Sequence, residues 1–140
     1  MIKGIGHTAI RTSDLENSLR FYTETLGLEE AFRLVGEDGK PFIVYLYAGP
    51  RQFIELVPNG SEETVYSKEK IGLVHLCFEV ENVEATYREL EAKGVALDTG
   101  IVDGKAKCRQ FWIHDPDGTP IELMELPEAS MQAQAIQRKQ

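Results

Sequence analysis

The sequence predicts an α+β fold in which two βαβββ modules stand in tandem, forming curved mixed sheets with a helix on the outer face of each. Three observations support this prediction. The 140 residues have the hydrophobic content of one globular domain, 42%. A stretch with helical periodicity is followed by three strand-like runs, and this order occurs twice. Matching polar residues also recur at a nearly constant distance along the chain, which indicates a duplicated unit.

The first module is predicted at about 1–60. Its opening strand contains His7, and Ser13 with Glu16 three residues later has the pattern of a helix-capping box. Gly27 ends the helix. The apolar residues of that helix recur in steps of 4, 3 and 4, and they are Leu15, Leu19, Tyr22 and Leu26. Three strand-like runs complete the module, at about 29–35, 42–48 and 52–57.

The second module is predicted at about 72–126 and has the same order. Its opening strand, at about 73–80, contains His75, and its helix begins after the N-cap residue Asn82. The apolar stripe of this helix consists of Val83, Tyr87 and Leu90. Strand-like runs follow at about 96–102, 106–114 and 120–126. The polar segment 127–140 is predicted to be a surface tail, either frayed or helical.

The charge and the cysteine content exclude several classes of partner. A net charge of −8 argues against nucleic acid and against an anionic membrane surface. The N-terminal residues include no long apolar run and no signal-peptide cleavage site, so we expect no membrane span. Cys77 and Cys108 are too few for a disulfide framework and lack metal-like spacing. Reduced thiols favour a cytoplasmic protein.

Two histidines and two glutamates form the candidate site. His7 and His75 are 68 positions apart, and Glu55 and Glu122 are 67 apart. Because side chains alternate along a strand, each of the four is expected to point away from the apolar face that packs on a helix. Imidazole nitrogens and carboxylate oxygens suit a divalent first-row metal. A lone strand histidine is more often structural, but the repeat and the shared face favour a metal site between the modules.

Short motifs across the chain resemble the vicinal-oxygen-chelate superfamily, and within it the glyoxalase type, the lactoylglutathione lyases. The resemblance makes residues 1–126 a single domain of that type. The motifs are Gly6-His7-Thr8, Phe21-Tyr22, Leu26-Gly27, Ile54-Glu55-Leu56, Gly72 to His75, Asp115 to Gly118 and Ile121-Glu122-Leu123. The resemblance also covers the superfamily's ring-cleaving dioxygenases, whose metal site looks like a set of two histidines and one carboxylate. In such a site Glu55 would be a surplus ligand.

The resemblance implies a metal-dependent isomerase or lyase. Such an enzyme converts the hemithioacetal of a thiol and a 2-oxoaldehyde, as in methylglyoxal detoxification, to a 2-hydroxyacyl thioester by proton transfer through an enediolate. His7, Glu55, His75 and Glu122 would hold one nickel, cobalt or zinc ion per site, with Glu122 and then Glu55 as the catalytic carboxylates. Arg11 and Asn59 would bind the substrate, with glutathione or another thiol as cosubstrate. Two chains would form a homodimer, with ligands from one chain or both.

Two other functions are compatible with the same residues. One is a metal-dependent epimerase of a carboxylic thioester, of the methylmalonyl-CoA type. The other is a non-catalytic resistance protein that binds a small toxin or antibiotic. Histidine and glutamate ligands favour an enzyme, whereas a purely apolar pocket would favour the binding protein. Arg11 also fits an ion-pairing role, and Asn59 also fits a turn after Pro58.

Overall fold

The structure, a computed structural model, describes residues 2–63, 65–67, 69 and 71–139. The chain divides into two compact units, Met1–Val65 and Tyr66–Gln140. Each unit contains a four-stranded mixed sheet and a helix that packs on it. The predicted α+β fold with a repeated βαβββ order is therefore confirmed.

The first unit contains four strands and one helix. They are β1 (His7–Arg11), α1 (Leu15–Arg20), β2 (Glu30–Val35), β3 (Pro41–Gly49) and β4 (Gln52–Val57). A π-helical turn, Phe21–Thr25, extends α1. The strand order in the sheet is β1-β4-β3-β2, with β1 parallel to β4 and the other neighbours antiparallel. The first and last strands of the unit therefore lie side by side.

The second unit repeats this arrangement and adds a terminal helix. Its elements are β5 (Leu76–Glu79), α2 (Val83–Ala92), β6 (Val102–Asp103), β7 (Arg109–His114), β8 (Pro120–Glu125) and α3 (Met131–Gln137). The strand order is β5-β8-β7-β6, and β5 is parallel to β8. The first and last strands of the repeat are again neighbours.

The two repeated helices differ in how well their caps were predicted. The Asn82 side chain accepts a hydrogen bond from the Ala85 N–H at 2.8 Å, which confirms it as the N-cap of α2. In α1 the cap is Asp14, whose carboxylate accepts from the Asn17 N–H at 3.0 Å. The capping box predicted from Ser13 is wrong, because α1 begins one residue later and Asp14, which caps a helix about as well as serine, occupies the N-cap position.

The predicted strand at 96–102 is mostly wrong, since only Val102 and Asp103 form β6. The residues before them lie along β7 and are joined to it by isolated hydrogen bonds. The Asp98 N–H donates to the Trp112 carbonyl at 2.8 Å, and the Trp112 N–H donates to the Thr99 hydroxyl at 3.1 Å. A side-chain acceptor thus replaces one rung of the backbone ladder, which ends regular pairing. The strand predicted from 106 begins at Arg109 instead.

The segment after β8 is also ordered. Ser130 is buried, and its hydroxyl accepts from the Ala133 N–H at 3.2 Å to cap α3. The Met131 N–H donates to the Ala106 carbonyl at 2.9 Å, which attaches the start of this helix to the loop before β7. No helix in the described part of the chain is both long and apolar enough to cross a membrane.

Alternation along the inner strands separates the core from the candidate site. In β4, Ile54 and Leu56 are buried with Tyr22 of the first helix region. In β8, Ile121 and Leu123 are buried in the same way. The residues between them, Glu55 and Glu122, therefore lie on the sheet face opposite the helix.

Candidate metal site

In the first unit, His7 and Glu55 form a close pair. The Nε2 atom of His7 lies 3.1 Å from Oε2 of Glu55. Parallel pairing of β1 with β4 puts Ala9 opposite Glu55, so His7 reaches the carboxylate from two positions earlier on the same strand face. The histidine side chain is 49% exposed and the glutamate side chain is 11% exposed. The pair therefore combines a half-exposed imidazole with a mostly covered carboxylate.

In the second unit, His75 and Glu122 repeat this pair. The Nε2 atom of His75 lies 3.2 Å from Oε2 of Glu122. His75 directly precedes β5, and Cys77 is the residue opposite Glu122. The side chains are 33% and 11% exposed, respectively. Two repeats with different sequences thus build the same histidine–glutamate geometry.

The structure brings the four predicted ligands together as two pairs, one in each unit. Among the described residues, no group of three or more His, Cys, Asp or Glu side chains comes close enough to hold a metal. Each pair alone fits two ligands of one ion, because atoms bound at right angles and about 2.1 Å from a metal lie about 3 Å apart. The same separation also fits a hydrogen bond from a protonated Nε2 to the carboxylate.

One atom in the second pair remains unsatisfied. Nδ1 of His75 is buried, and it is the only such side-chain nitrogen or oxygen without a hydrogen-bond partner in the described residues. A buried unpaired polar atom costs about 1–3 kcal/mol. Histidine ligands usually donate from their second nitrogen to a neighbour, which fixes the ring. His75 is instead held by the ring of Trp112, with centroids 4.8 Å apart and planes at 78°.

The neighbours of the two carboxylates differ. Tyr45 lies opposite Glu55 in the β3–β4 pair, and desolvation, the Glu55 charge and a hydrogen bond to Glu55 raise the pKa of Tyr45. Cys77 lies opposite Glu122, and desolvation of its sulfur, the Glu122 charge and a hydrogen bond to Glu122 raise the pKa of the thiol to about 12. Both neighbours therefore remain protonated at neutral pH.

The two predicted substrate-binding residues lie near each other at the end of β1. Nη1 of Arg11 donates to the Pro58 carbonyl at 3.0 Å. Asn59 has a positive φ of 65°, a left-handed conformation that suits asparagine in a turn. The structure thus shows local roles for both residues, and their binding roles remain predictions.

Sequence reasoning missed the residues that surround the pairs. Tyr45 and Trp112 are 67 positions apart, which is the same offset that relates the glutamates. That offset was available in the sequence, but strand register was needed to place the rings beside His7 and His75. The remaining histidine, His114, ends β7, and its Nδ1 lies 2.9 Å from an Asp98 carboxylate oxygen.

Comparison with known proteins identifies the class to which this fold and these pairs belong. Residues 4–123 match the profile of the Glyoxalase/Bleomycin resistance protein/Dioxygenase superfamily. The chain belongs to that superfamily. This confirms the resemblance drawn from the sequence motifs.

Relatives within the superfamily include enzymes of the glyoxalase type. The lactoylglutathione lyase of Schizosaccharomyces pombe is 34% identical over 150 residues, which cover 92% of this chain and 49% of the yeast protein. The chain thus spans about half the length of that relative. The lactoylglutathione lyase of Salmonella typhimurium is 30% identical over 128 residues, which cover 88% of this chain and 93% of the bacterial protein.

A solved structure supports the fold. The crystal structure of a glyoxalase family protein from Enterococcus faecalis superimposes with a TM-score of 0.74 at 30% sequence identity. The match covers 88% of this chain and 98% of that protein. The tandem βαβββ architecture is therefore that of glyoxalase-fold proteins.

Proposed function

We propose that this chain is a metal-dependent isomerase of the glyoxalase type. The substrate would be the hemithioacetal of a thiol, such as glutathione, and a 2-oxoaldehyde, and the product a 2-hydroxyacyl thioester. The observation that carries the proposal is the repeated histidine–glutamate pair, with nitrogen–oxygen distances of 3.1 and 3.2 Å in a chain of this superfamily. Lactoylglutathione lyases among the relatives support this choice of reaction.

The two pairs would together supply two nitrogen and two oxygen ligands for one divalent ion. Nickel, cobalt or zinc accepts this mixed set. When bound, the ion would act as a Lewis acid for negative charge that develops on the substrate oxygens. Carboxylates that are 11% exposed are well protected from bulk water, which favours ligand binding over solvation.

The protein's own part of the reaction is a proton transfer. We assign the base to Glu122, which would take the proton from the carbon that bears the sulfur and return it to the adjacent former carbonyl carbon. No atom is gained or lost, so the step is an isomerisation. Glu55 would remain beside His7 and support the charge of the site. Arg11 and Asn59 would hold the polar end of the thiol cosubstrate, since a guanidinium pairs well with carboxylates.

Exposed apolar residues support a homodimer. The segments that lead into the two histidines carry large apolar side chains that the chain itself leaves exposed. Their exposed fractions are 96% for Ile2, 68% for Ile5, 106% for Ile71, 62% for Leu73 and 56% for Val74. Large apolar side chains left exposed beside a candidate site are typical of protein interfaces. We therefore propose that a second copy covers them, and that the dimer acts in the cytoplasm.

A binding protein is the second candidate, and an aromatic cluster on the site face of the first unit favours it. Phe32 stacks on Tyr45 with centroids 4.4 Å apart, and Tyr47 contacts Phe53 at 5.2 Å. Phe32 and Tyr47 are each 47% exposed. Such rings suit a flat apolar compound. Turnover of a hemithioacetal would decide for the enzyme, and tight binding without turnover would decide for the binding protein.

The proposal is tested by metal analysis of the purified protein together with an isomerase assay. The assay uses the hemithioacetal of methylglyoxal and glutathione. We expect about one divalent ion per site and loss of both metal and turnover in His75→Ala. His114→Ala is the matched control, because it removes an imidazole of the same unit that lies outside the two pairs and bonds Asp98. Unchanged metal content in His75→Ala would reject the ligand assignment.

A further inference from the structure

Within the described residues, the imidazole of His75 lacks the hydrogen bond that usually orients a histidine ligand. Its Nε2 lies 3.2 Å from Oε2 of Glu122, but its Nδ1 is buried without a hydrogen-bond partner. In most metal sites the second ring nitrogen donates to a carbonyl or a carboxylate, and that bond fixes the plane of the ring. A different contact must therefore fix the plane of this imidazole.

The indole of Trp112 supplies such a contact. The centroids of the two rings are 4.8 Å apart and their planes meet at 78°, which is an edge-on arrangement. Aromatic rings favour this geometry because the positive edge of one ring meets the negative face of the other. The attraction depends on the angle between the planes, so the contact resists rotation of the His75 ring.

The backbone holds Trp112 in place on both sides of β7. On one side Trp112 is the register partner of Glu122 in β8, so the two side chains lie on the same face of the sheet. On the other side the Trp112 N–H donates to the Thr99 hydroxyl at 3.1 Å, and the Trp112 carbonyl accepts from the Asp98 N–H at 2.8 Å. The indole is thus presented to the histidine–glutamate pair by a strand that is bonded along both edges.

The first unit holds its histidine less closely. Tyr45, which is 67 positions before Trp112, places its ring 5.8 Å from His7. The His7 side chain is 49% exposed, compared with 33% for His75. His75 is therefore the more enclosed of the two imidazoles, and it has the closer ring contact.

We propose that Trp112 is a positioning residue whose indole fixes the His75 imidazole beside Glu122, in place of a hydrogen bond at Nδ1. This inference rests on the proposed function, because it treats His75 as a metal ligand. A ring nitrogen that binds an ion cannot also donate a hydrogen bond. With Nε2 engaged in that way, the contact with Trp112 is what continues to orient the ring.

The first test measures the motion of His75 in metal-free protein. The background is Glu122→Ala, which removes the partner of Nε2 and leaves the indole to hold the ring. Relaxation of ¹³C-labelled imidazole groups gives the order parameter of His75. We expect the ring to stay ordered in Glu122→Ala and its order parameter to fall below about 0.6, the range of flexible groups, when Trp112→Leu is added. Trp112→Phe, which keeps an aromatic edge, should preserve the order.

Tyr87→Leu in the same background is the matched control. It removes an edge-on contact on the other face of β7, where Tyr87 meets the buried Phe111 at 5.1 Å and 75°. We expect His75 to remain ordered in this variant. Equal mobility in the Trp112 and Tyr87 variants would indicate a general loosening of the unit and would overturn the proposal. A ring that is already mobile in Glu122→Ala, or still ordered without the indole, would overturn it as well.

The second test measures Ni²⁺ binding by calorimetry with the native glutamates in place. Trp112→Leu should bind Ni²⁺ about tenfold more weakly, the usual effect of losing a group that orients a ligand. Trp112→Phe should lie within about threefold of the native affinity, since it keeps an edge contact. Tyr87→Leu should bind Ni²⁺ as the native protein does. A native affinity in Trp112→Leu would show that the indole does not orient a ligand.

The outcomes separate this inference from the reaction proposed above. If the native protein binds Ni²⁺ without isomerase turnover, and Trp112→Leu binds it more weakly, the reaction is wrong and the role of Trp112 stands. If turnover is present and Trp112→Leu binds Ni²⁺ normally, the reaction stands and the role of Trp112 fails. If the native protein binds no Ni²⁺, the proposed function fails, and the motion of His75 alone decides whether Trp112 positions it.

Discussion

At the scale of single residues, the two glutamates occupy equivalent positions in their units but have different surroundings. Each lies in the strand that comes last along the chain in its unit, within 3.2 Å of a histidine nitrogen. The difference lies in the residues opposite them on the paired strands, which include Tyr45 for Glu55 and Cys77 for Glu122. A base must leave its ligand position before it accepts a proton, so the less restrained carboxylate is better suited to that role.

We therefore predict unequal effects of the two glutamine substitutions. Glu122→Gln keeps an oxygen ligand but removes the proton acceptor, and kcat should fall by roughly a hundredfold or more, the scale of a lost general base. Glu55→Gln should lower kcat by a smaller factor at equal metal content. The measurement is kcat for both variants, normalised to bound metal. A slower Glu55→Gln would exchange the two roles, and near-normal rates in both would reject the proton-transfer mechanism.

The Cys77 thiol gives a prediction that needs no metal. Its pKa is raised to about 12 by desolvation first and then by Glu122. The folded state therefore holds the thiol proton more tightly than an unfolded chain between about pH 8.5 and the folded pKa, and stability falls as pH rises through that window.

The consequence is slow chemical modification. Although Cys77 is exposed, its alkylation by iodoacetamide at pH 8 should be slower than that of an ordinary cysteine, because the thiolate is the reactive species. Cys108→Ser isolates the reaction of Cys77. Glu122→Gln should increase the rate, since it removes a charge that raises the pKa. A rate equal to that of a free peptide thiol would show that the environment of Cys77 is wrongly assigned.

Single residues also show what the sequence was able to predict about the site. Side-chain alternation and the repeat offset singled out His7, Glu55, His75 and Glu122 as candidates, because both signals can be read from the sequence without knowing how the strands pair. Tyr45 was not found, because its relation to Glu55 depends on which residues of β3 and β4 face each other. That register is set by the hairpin between the strands, and alternation alone does not determine it.

At the scale of elements, helix α2 provides a direct test of stability. The Asn82 side chain accepts from the Ala85 N–H at 2.8 Å, which satisfies one of the free donors at the helix start. Asn82→Ala should lower the free energy of unfolding by about 1 kcal/mol. Urea denaturation measures the change. Glu81→Ala, one position earlier on the exposed surface, is the control and should stay within about 0.5 kcal/mol of the native protein.

The elements that were predicted wrongly share one physical cause. Ser13 and the run at 96–102 were read from residue preferences, but polar side chains compete with the backbone in both places. Asp14 caps α1 in place of Ser13, and the Thr99 hydroxyl accepts the Trp112 N–H where a strand carbonyl was expected. Apolar periodicity correctly predicted the presence of the strands and helices that have a buried face. Local side-chain acceptors determined where several of them begin and end.

At the scale of the whole molecule, the proposed dimer and the origin of the ligands are tested together. Molecular mass at micromolar concentration, measured by light scattering, should correspond to two chains. His7→Ala and His75→Ala each damage a different pair, and each alone should be inactive. The two variants are then mixed and allowed to exchange subunits.

The recovered activity distinguishes two arrangements. If each site takes one pair from each chain, a mixed dimer contains one intact site, and random exchange should restore about a quarter of the native activity. If each site takes both pairs from one chain, no site is repaired and no activity returns. A monomeric mass with full metal content and activity would reject the dimer altogether.

The pairing of the first strand with the last in each unit has a consequence for the order of folding. His7 and Glu55 are 48 residues apart, and His75 and Glu122 are 47 apart, so each pair is among the most distant contacts of its unit. Such contacts form late, because the intervening chain must first be arranged. A nascent chain that has not yet emerged beyond β8 contains His75 without its carboxylate. A histidine–glutamate pair therefore exists only in a unit whose first and last strands have already paired. A divalent ion would bind such folded units in preference to units in which these strands are still apart.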